Sequence, residues 1–249
     1  GRSQMMLVSE DSAISSSKEA YVKMLQPLSN EGKVDNNPAV TQRVVAITER
    51  LVAQAIKVRP ETKEWDWQVK VIDEPEVVNA WCMAGGKMAM YTGLINQIKA
   101  TDDELAQVMG HEIAHALANH QAEKMSVGIL TAIGVVAVGV AVDDNRALAM
   151  SGAALAASLA VSKPNSRTAE SEADEIGIEL AAKAGYDPHA AVSLWKKMAE
   201  VSGEGPPQFL STHPAPSNRS KALAALIPDM MPYYQQAQKS TPPSYKLRH

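Results

Sequence analysis

The sequence is poor in cysteine and in aromatic side chains. Cys82 is the one cysteine among 249 residues, so no disulfide can form within the chain and no zinc site made of several cysteines can exist. We expect Cys82 to be a small buried apolar residue rather than a reactive thiol. Aromatic residues make up 4% of the chain and include a single phenylalanine. The core must therefore be mostly aliphatic.

An excess of positive charge is also missing. Lysine and arginine number 24 against 28 aspartates and glutamates, which gives a net charge of −4. This balance excludes a generally basic nucleic-acid-binding surface, and we expect no nucleic acid among the partners. The hydrophobic share of 45% and the charged share of 21% exclude a wholly disordered chain. At about 150 residues per domain, the length accommodates one large domain or two small ones.

No apolar run reaches the usual length of a membrane span. The stretches 126–142 and 147–161 are each shorter than the roughly 20 residues that a spanning helix needs. They are rich in glycine, alanine and serine, and they lack the flanking aromatic residues of membrane helices. We interpret 126–161 as an apolar helical insert or lid made of packed helices. Membrane contact through this segment is the alternative.

Helix signals divide the chain into three parts. Residues 1–36 are polar and serine-rich, with a short helix expected around 17–25. Asn37 and Pro38 start a second helix, because asparagine caps a helix and proline suits its first position. We predict one folded domain over residues 37–227, whose last helix covers 217–227. Prolines then mark residues 228–249 as a loose tail.

Only residues 65–95 have a clearly β-like pattern. Apolar and polar residues alternate over 67–72, which predicts a strand. Gly85-Gly86 is typical of a hairpin turn, and residues 87–92 form the next predicted strand. The pattern as a whole favours an α+β fold that is mainly α, with a small mixed or antiparallel sheet.

The motif HEIAH at residues 111–115 is the first candidate for chemistry. A capping box at Thr101 and Glu104 predicts the start of its helix, which we expect to run to about Lys124. Residues four apart share a helix face, so His111 and His115 can reach one metal ion, each at roughly 2.0–2.1 Å. Glu112 is then placed beside the ion, near a bound water, as a general base needs. The competing interpretation is two histidines on a helix surface.

A third ligand must come from elsewhere in the chain. The extended pattern HExxHxxGxxH fails, because Ala118 and Gln121 stand where glycine and histidine would be. His120 lies about half a turn from His111 on a continuous helix, so we expect it to face solvent.

The best source of that ligand is the segment 170–174. Glu170 and Asp174 share one face of a predicted helix, whereas Glu172 points away. Glu170 fits a metal ligand, and Asp174 fits the outer carboxylate that orients a metal-bound histidine. Small residues on the same face, Gly177 among them, would let this helix press against the HEIAH helix. The alternative is a solvated charged face.

Together these motifs resemble the HtpX-like and CAAX-prenyl-protease-like family of gluzincin zinc metallopeptidases, and specifically its soluble periplasmic, often lipoprotein, branch. The resemblance rests on residues 111–120, Ser166-Arg167, 170–174, Gly177, His213-Pro214, Arg219 and the hairpin beginning at Asn79. It implies a zincin-type catalytic domain with an active-site helix, a glutamate helix and a small sheet or hairpin. It also implies one Zn²⁺ per chain, bound by His111, His115 and Glu170, with Glu112 as the base and Asp174 outside the ligands.

The resemblance implies roles for two further residues and one strand. His213 would contact zinc, substrate or a developing oxyanion; the alternative is a loop histidine without such a role. Arg219 would lie outside the ligands, although Asn218 replaces the acid that often precedes it. Ala84 replaces the usual proline before the two glycines. An active-site edge strand would bind an extended peptide by strand addition; its residues are Asn79, Ala80, Trp81, Gly85 and Gly86.

The function we predict is a zinc-dependent endopeptidase that acts on unfolded or misassembled proteins and peptides in envelope quality control. The alternative is a latent, zinc-binding, chaperone-like assembly factor of the envelope with little proteolysis. A third class, a helical adaptor without metal, requires both motifs to be accidental. The resemblance implies the bacterial periplasm, with a membrane-anchoring lipid as a further expectation. Because the chain begins Gly1-Arg2-Ser3 rather than with methionine, we expect that something upstream has been removed.

Overall fold

A computed structural model describes residues 3–137, 166–201, 207–214 and 218–248. These ranges are mainly helical and include one three-stranded sheet, which confirms the predicted α+β class. The helices are α1 (Glu10–Asn30), α2 (Pro38–Val58), α3 (Thr92–Gln97), α4 (Asp102–Leu117), α5 (His120–Ala137), α6 (Arg167–Lys183), α7 (Ala190–Glu200), α8 (Gln208–Thr212) and α9 (Arg219–Gln238). The strands are β1 (Gln68–Ile72), β2 (Ala80–Met83) and β3 (Lys87–Tyr91), and a short 3-10 turn covers Pro60–Glu64.

The sheet is mixed and has the strand order β1-β3-β2. Strand β3 runs parallel to β1 and antiparallel to β2, which leaves β2 at one edge. The predicted hairpin turn joins β2 to β3, and both of its glycines have positive φ, 78° at Gly85 and 81° at Gly86. A Cβ on Gly86 would lie 2.5 Å from Cε3 of Trp67. Both the turn and the close packing of the Trp67 ring therefore require glycine.

Two glycines allow α4 and α6 to touch backbone to backbone. A Cβ on Gly110 would stand 2.7 Å from the carbonyl oxygen of Gly177, and a Cβ on Gly177 would stand 2.7 Å from the backbone nitrogen of His111. Larger residues would force the helices apart. This contact places the start of α6 beside the HEIAH motif. The main core surrounds the pair with residues of α2, the sheet, α7 and α9.

The helix that carries HEIAH begins as predicted and ends earlier. Thr101 Oγ1 accepts a hydrogen bond from the Glu104 backbone N–H at 3.2 Å, and the Glu104 carboxylate accepts one from the Thr101 N–H at 3.0 Å. The predicted run to Lys124 is wrong, because α4 ends at Leu117. Asn119 has a left-handed φ of 56°, and the new helix α5 begins at His120. The chain therefore changes direction between His115, the second histidine of the motif, and His120.

The C-terminal region is not a loose tail. Helix α9 passes through Pro228 and Pro232 to Gln238, so the prediction that the last helix stops at residue 227 is wrong. The tail beyond α9 is also packed: Leu247 is 3% exposed, and the Tyr245 N–H donates to the carbonyl of Glu49 at 3.0 Å. Tertiary contacts thus outweigh the local cost of two prolines inside a helix.

The N-terminal helix is longer than the sequence predicts. It begins at Glu10, after Ser9 accepts a hydrogen bond from the backbone N–H of Ser12, rather than near residue 17. It packs against the sheet through a second apolar cluster that includes Tyr21 and Trp81. This contact ties residues 10–30 to the domain.

Most of the apolar segment 126–161 lies outside the described residues. Helix α5 covers it as far as Ala137, and the lid or insert predicted for the remainder is not described. Among the helices that the structure describes, none combines the length and hydropathy required to cross a bilayer.

Candidate metal centre

Four side chains converge between α4 and α6. His111 and His115 come from α4, Glu170 from the first turn of α6, and His213 from the position directly after α8. Each offers one ligand atom, and these atoms all lie within 4.8 Å of one another. All four side chains are buried, and Glu170 is 0% exposed. We call these four residues the ligand cluster.

The distances within the ligand cluster suit a single zinc ion. The Nε2 atoms of His111 and His115 are 3.0 Å apart, and each lies 3.2 Å from a Glu170 carboxylate oxygen. Nδ1 of His213 lies 3.0 Å from Glu170 Oε1 and 3.3 Å from His111 Nε2. Ligand atoms 2.0–2.1 Å from a tetrahedral zinc stand about 3.4 Å from one another. Three imidazoles and one carboxylate around one point are also a donor set that zinc favours.

Local structure explains why Glu170 and His213 reach this point. Ser166 caps α6 by accepting a hydrogen bond from the Ala169 N–H at 3.1 Å, which starts the helix so that Glu170 lies in its first turn. The His213 ring stacks on Phe209, with ring centroids 4.3 Å apart. The only phenylalanine of the chain is thus a fully buried support for this histidine. Sequence analysis missed this role, and the singularity of Phe209 was the available signal.

Asp174 and Arg219 lie on the outer side of His111. Asp174 Oδ1 is 3.0 Å from His111 Nδ1, on the opposite side of the ring from the ligand cluster. The guanidinium of Arg219 forms a salt bridge with Asp174 and stands 3.5 Å from Glu170 Oε2. It also lies over the ring of Trp195, 3.4 Å from the centroid. The structure therefore brings both predicted residues to the site although residue 218 is not acidic.

Burial and charge act in opposite directions on the two helical histidines. Burial lowers the pKa of His115 well below its usual value. Burial also acts to lower the pKa of His111, but the Glu170 charge and the bond to Asp174 outweigh it and raise the pKa to about 9. For Glu170, burial favours the neutral acid, yet the His111 charge and the hydrogen bonds from the histidines lower its pKa overall. A neutral His115 and an ionised Glu170 are the forms that bind a metal.

Glu112 lies beside the ligand cluster without belonging to it. Its side chain is buried, and its Oε1 faces Nε2 of His213 at 3.3 Å. Within the described residues this oxygen makes no hydrogen bond. Burial raises the pKa of Glu112, since the charges of His213 and His111 only partly offset desolvation. A buried carboxylate that has a raised pKa and an oxygen without a hydrogen bond is suited to accept a proton from a water.

His120 does not face solvent, so that prediction is wrong. It is 2% exposed, and its Nδ1 lies 2.7 Å from Nδ1 of His115. Its Nε2 lies 3.2 Å from Oε2 of Glu172. Counting positions round one helix fails here because α4 ends at Leu117 and the left-handed Asn119 redirects the chain. Sequence reasoning missed both His120 and Glu172 as residues of the site.

The edge strand β2 lies beside the site, and its outer edge is partly occupied. The Asn79 side chain accepts a hydrogen bond from the Ala80 N–H at 3.0 Å. Gln121 of α5 donates from Nε2 to the Cys82 carbonyl at 2.7 Å. On the sheet face, Trp81 meets Tyr21 edge-on, with centroids 5.8 Å apart. An added peptide strand would therefore have to displace the Gln121 amide.

The site combines two histidines four residues apart on one helix, a glutamate from a second helix, and a buried glutamate next to the first histidine. This combination defines a centre of the metallopeptidase class. The sequence model of Peptidase family M48 matches residues 38–227, and the chain belongs to this family. Because M48 metallopeptidases use zinc and the ligand cluster can hold one metal ion, the predicted zinc cofactor is confirmed.

Named relatives come from mitochondria and from bacteria. The chain is 40% identical to the mitochondrial metalloendopeptidase OMA1 of Arabidopsis thaliana over 64% of its length and 31% of the relative. It is 33% identical to OMA1 of Bos taurus over 93% of its length and 45% of the relative. It is 30% identical to the putative beta-barrel assembly-enhancing protease of Vibrio cholerae over 81% of its length and 41% of the relative. The chain thus spans less than half of each of these three proteins.

These relatives confirm the predicted resemblance at the level of the M48 family. Their names are those of OMA1 and of beta-barrel assembly-enhancing proteases, rather than of HtpX or CAAX prenyl proteases. Assignment to a periplasmic branch remains a prediction.

Proposed function

We propose that this chain is a zinc endopeptidase that hydrolyses peptide bonds of unfolded or misassembled proteins. The observation that carries the proposal is the buried Glu112 carboxylate beside a ligand cluster of three imidazoles and one carboxylate. Membership of a peptidase family and relatives named as metalloendopeptidases support it.

The geometry of the site suggests a separate chemical role for each of its residues. His111, His115 and Glu170 would hold the zinc, which when bound supplies a Lewis acid for the substrate carbonyl and for a water. Glu112 takes the proton of the attacking water on Oε1, which makes no hydrogen bond within the described residues, and passes it to the leaving nitrogen. Asp174 fixes the His111 ring by accepting from its Nδ1–H, and Arg219 holds Asp174 in place.

The position of His213 determines whether the site is open to water and substrate or is latent. Its Nδ1 lies within the ligand cluster and its Nε2 faces Glu112 at 3.3 Å, so its ring fills the gap between the cluster and the base. This placement specifically favours the second candidate function, a latent zinc-binding assembly factor with little proteolysis. A peptidase would need His213 to withdraw, so that water and substrate can enter the space beside Glu112. We propose the latent arrangement as the resting state of the peptidase.

We also propose an envelope role in bacteria, in the periplasm and with a lipid tether. The relatives named beta-barrel assembly-enhancing proteases of Vibrio cholerae and Yersinia pestis support a bacterial role, whereas the periplasm and the lipid tether rest on the resemblance of the motifs. The relatives named mitochondrial represent the competing location.

The test is zinc stoichiometry combined with cleavage of casein, for the unaltered protein and for Glu112→Gln. We expect one zinc per chain in both, and a loss of activity of about 10²–10⁴-fold in Glu112→Gln, because the amide cannot accept the proton. Glu175→Gln is the matched control, since Glu175 is exposed on α6. Full activity of zinc-loaded Glu112→Gln would refute the proposal, and absence of zinc above trace would favour the helical adaptor.

A further inference from the structure

Two of the residues that sequence reasoning missed, His120 and Glu172, continue a line of hydrogen bonds outward from the ligand cluster. We propose that they form a relay that fixes which nitrogen of His115 carries the proton and thereby sets the affinity for zinc. The proposal rests on the zinc centre of the proposed function and is independent of proteolysis. His120 and Glu172 are positioning residues, because neither belongs to the ligand cluster.

The two nitrogens of His115 face opposite ways. Nε2 lies 3.2 Å from Glu170 Oε1 and 3.0 Å from Nε2 of His111, so it belongs to the ligand cluster. Nδ1 lies 2.7 Å from Nδ1 of His120. Two ring nitrogens at this distance share one hydrogen, so one of them donates and the other accepts.

Only one placement of the ring protons on His115 and His120 lets His115 bind a metal through Nε2. A nitrogen that binds zinc carries no proton, so the neutral His115 must carry its proton on Nδ1 and donate it to His120. Nδ1 of His120 is then an acceptor, and its own proton must be on Nε2. That nitrogen lies 3.2 Å from Oε2 of Glu172, a carboxylate that can accept it. Each donor in the relay thus meets an acceptor.

Because of the relay, the Nδ1 atoms of His111 and His115 have different hydrogen-bond partners. Nδ1 of His111 meets the carboxylate of Asp174 directly at 3.0 Å, whereas Nδ1 of His115 meets a neutral imidazole that a carboxylate supports from behind. His120 is fully enclosed at 2% exposure, while the Glu172 side chain is 24% exposed. The relay therefore runs from the buried centre to the protein surface. It exists because the turn at Asn119 starts α5 with His120 directed inward.

The first measurement is zinc affinity by competition with a chromophoric chelator. We expect His120→Ala to weaken zinc binding by about 10–100-fold, which is typical for loss of a partner outside the ligands. His120→Asn should restore most of the affinity, because its amide oxygen can accept the proton of His115. Glu172→Ala should have a smaller effect in the same direction. Glu175→Ala and His189→Ala, both at exposed positions, are the matched controls and should bind as the unaltered protein does.

The second measurement reads the protons directly and needs no variant. In the zinc-loaded protein, the ¹⁵N resonances of the imidazoles should show His115 protonated at Nδ1 and His120 protonated at Nε2. A proton on Nδ1 of His120, or unchanged zinc affinity in a folded His120→Ala, would overturn the relay. If His120 variants do not fold, Glu172→Ala and the nitrogen spectrum decide. An unaltered protein that takes up no zinc would refute the metal centre itself, which distinguishes that failure from failure of the relay alone.

Discussion

At the scale of single residues, the position of His213 bears on both candidate functions, the peptidase and the latent assembly factor. Its ring is stacked on Phe209, and its nitrogens face Glu170 and Glu112. In the latent arrangement, His213 competes with water and substrate for the space beside Glu112. Removing the ring would free that space and leave His111, His115 and Glu170 as ligands.

We therefore expect His213→Ala to retain zinc and to cleave casein at an unchanged or higher rate. The measurement is initial rate together with zinc content, with His189→Ala as the control at an exposed histidine. A large loss of activity with zinc still bound would instead show that His213 supports the oxyanion.

Burial of Cys82 disfavours the thiolate, the reactive form of its side chain. The thiol is 0% exposed within β2, and burial raises its pKa well above the ordinary value. Since the thiolate is the nucleophile, we expect iodoacetamide to leave the folded protein unmodified at neutral pH and to alkylate it fully in denaturant. Mass spectrometry distinguishes the two. Rapid alkylation of the native protein would contradict the enclosed position of Cys82.

At the scale of elements, the contact between α4 and α6 sets the spacing of the ligand cluster. One helix carries two of the ligands and the other carries the glutamate, so their separation determines whether the ligand atoms share one ion. Gly110 and Gly177 make the contact, and neither neighbour is a flexible side chain that could move aside.

We expect Gly177→Ala to destabilise the fold by about 1–3 kcal/mol, as overpacking usually does, and to weaken zinc binding as well. The physical reason is that the new Cβ would stand 2.7 Å from the His111 backbone nitrogen, so the helices must separate. Urea denaturation and chelator competition measure the two effects. Ser171→Ala, at an exposed position of the same helix, should change neither. A stable Gly177→Ala with native zinc affinity would disprove the close contact.

At the scale of the whole molecule, zinc and the fold depend on each other. The ligands come from positions as distant as His111 and His213, which are 102 residues apart in sequence, so the unfolded chain has no preformed site. Binding to the folded state alone stabilises it by about 4 kcal/mol at free zinc 1,000 times Kd.

Removal of zinc with a chelator should therefore lower the melting temperature by roughly 10 °C under those conditions. Differential scanning calorimetry measures the shift, and re-addition of zinc should reverse it. His115→Ala serves as the control, because without this ligand added zinc should produce little shift. Equal melting temperatures with and without zinc would show that the ligand cluster does not bind the ion.

Local patterns were sufficient for most of the elements that build the centre. The capping box at Thr101, the spacing of His111 and His115, and the turn at Gly85-Gly86 were all predicted, because each depends on neighbours along the chain. The same reasoning failed for α9, where two prolines suggested a loose tail. Packing against the rest of the domain continues that helix to Gln238, and no local pattern reports such packing.

The sequence by itself therefore determined a helical zinc motif with a glutamate beside it, since residues four apart on a capped helix share one face whatever surrounds them. Only the tertiary structure decided that His213 enters the ligand cluster and that His120 turns inward to His115 and Glu172. The physical reason is that these contacts join separate elements, and their geometry follows from a break at Asn119 and from burial around α4 and α6.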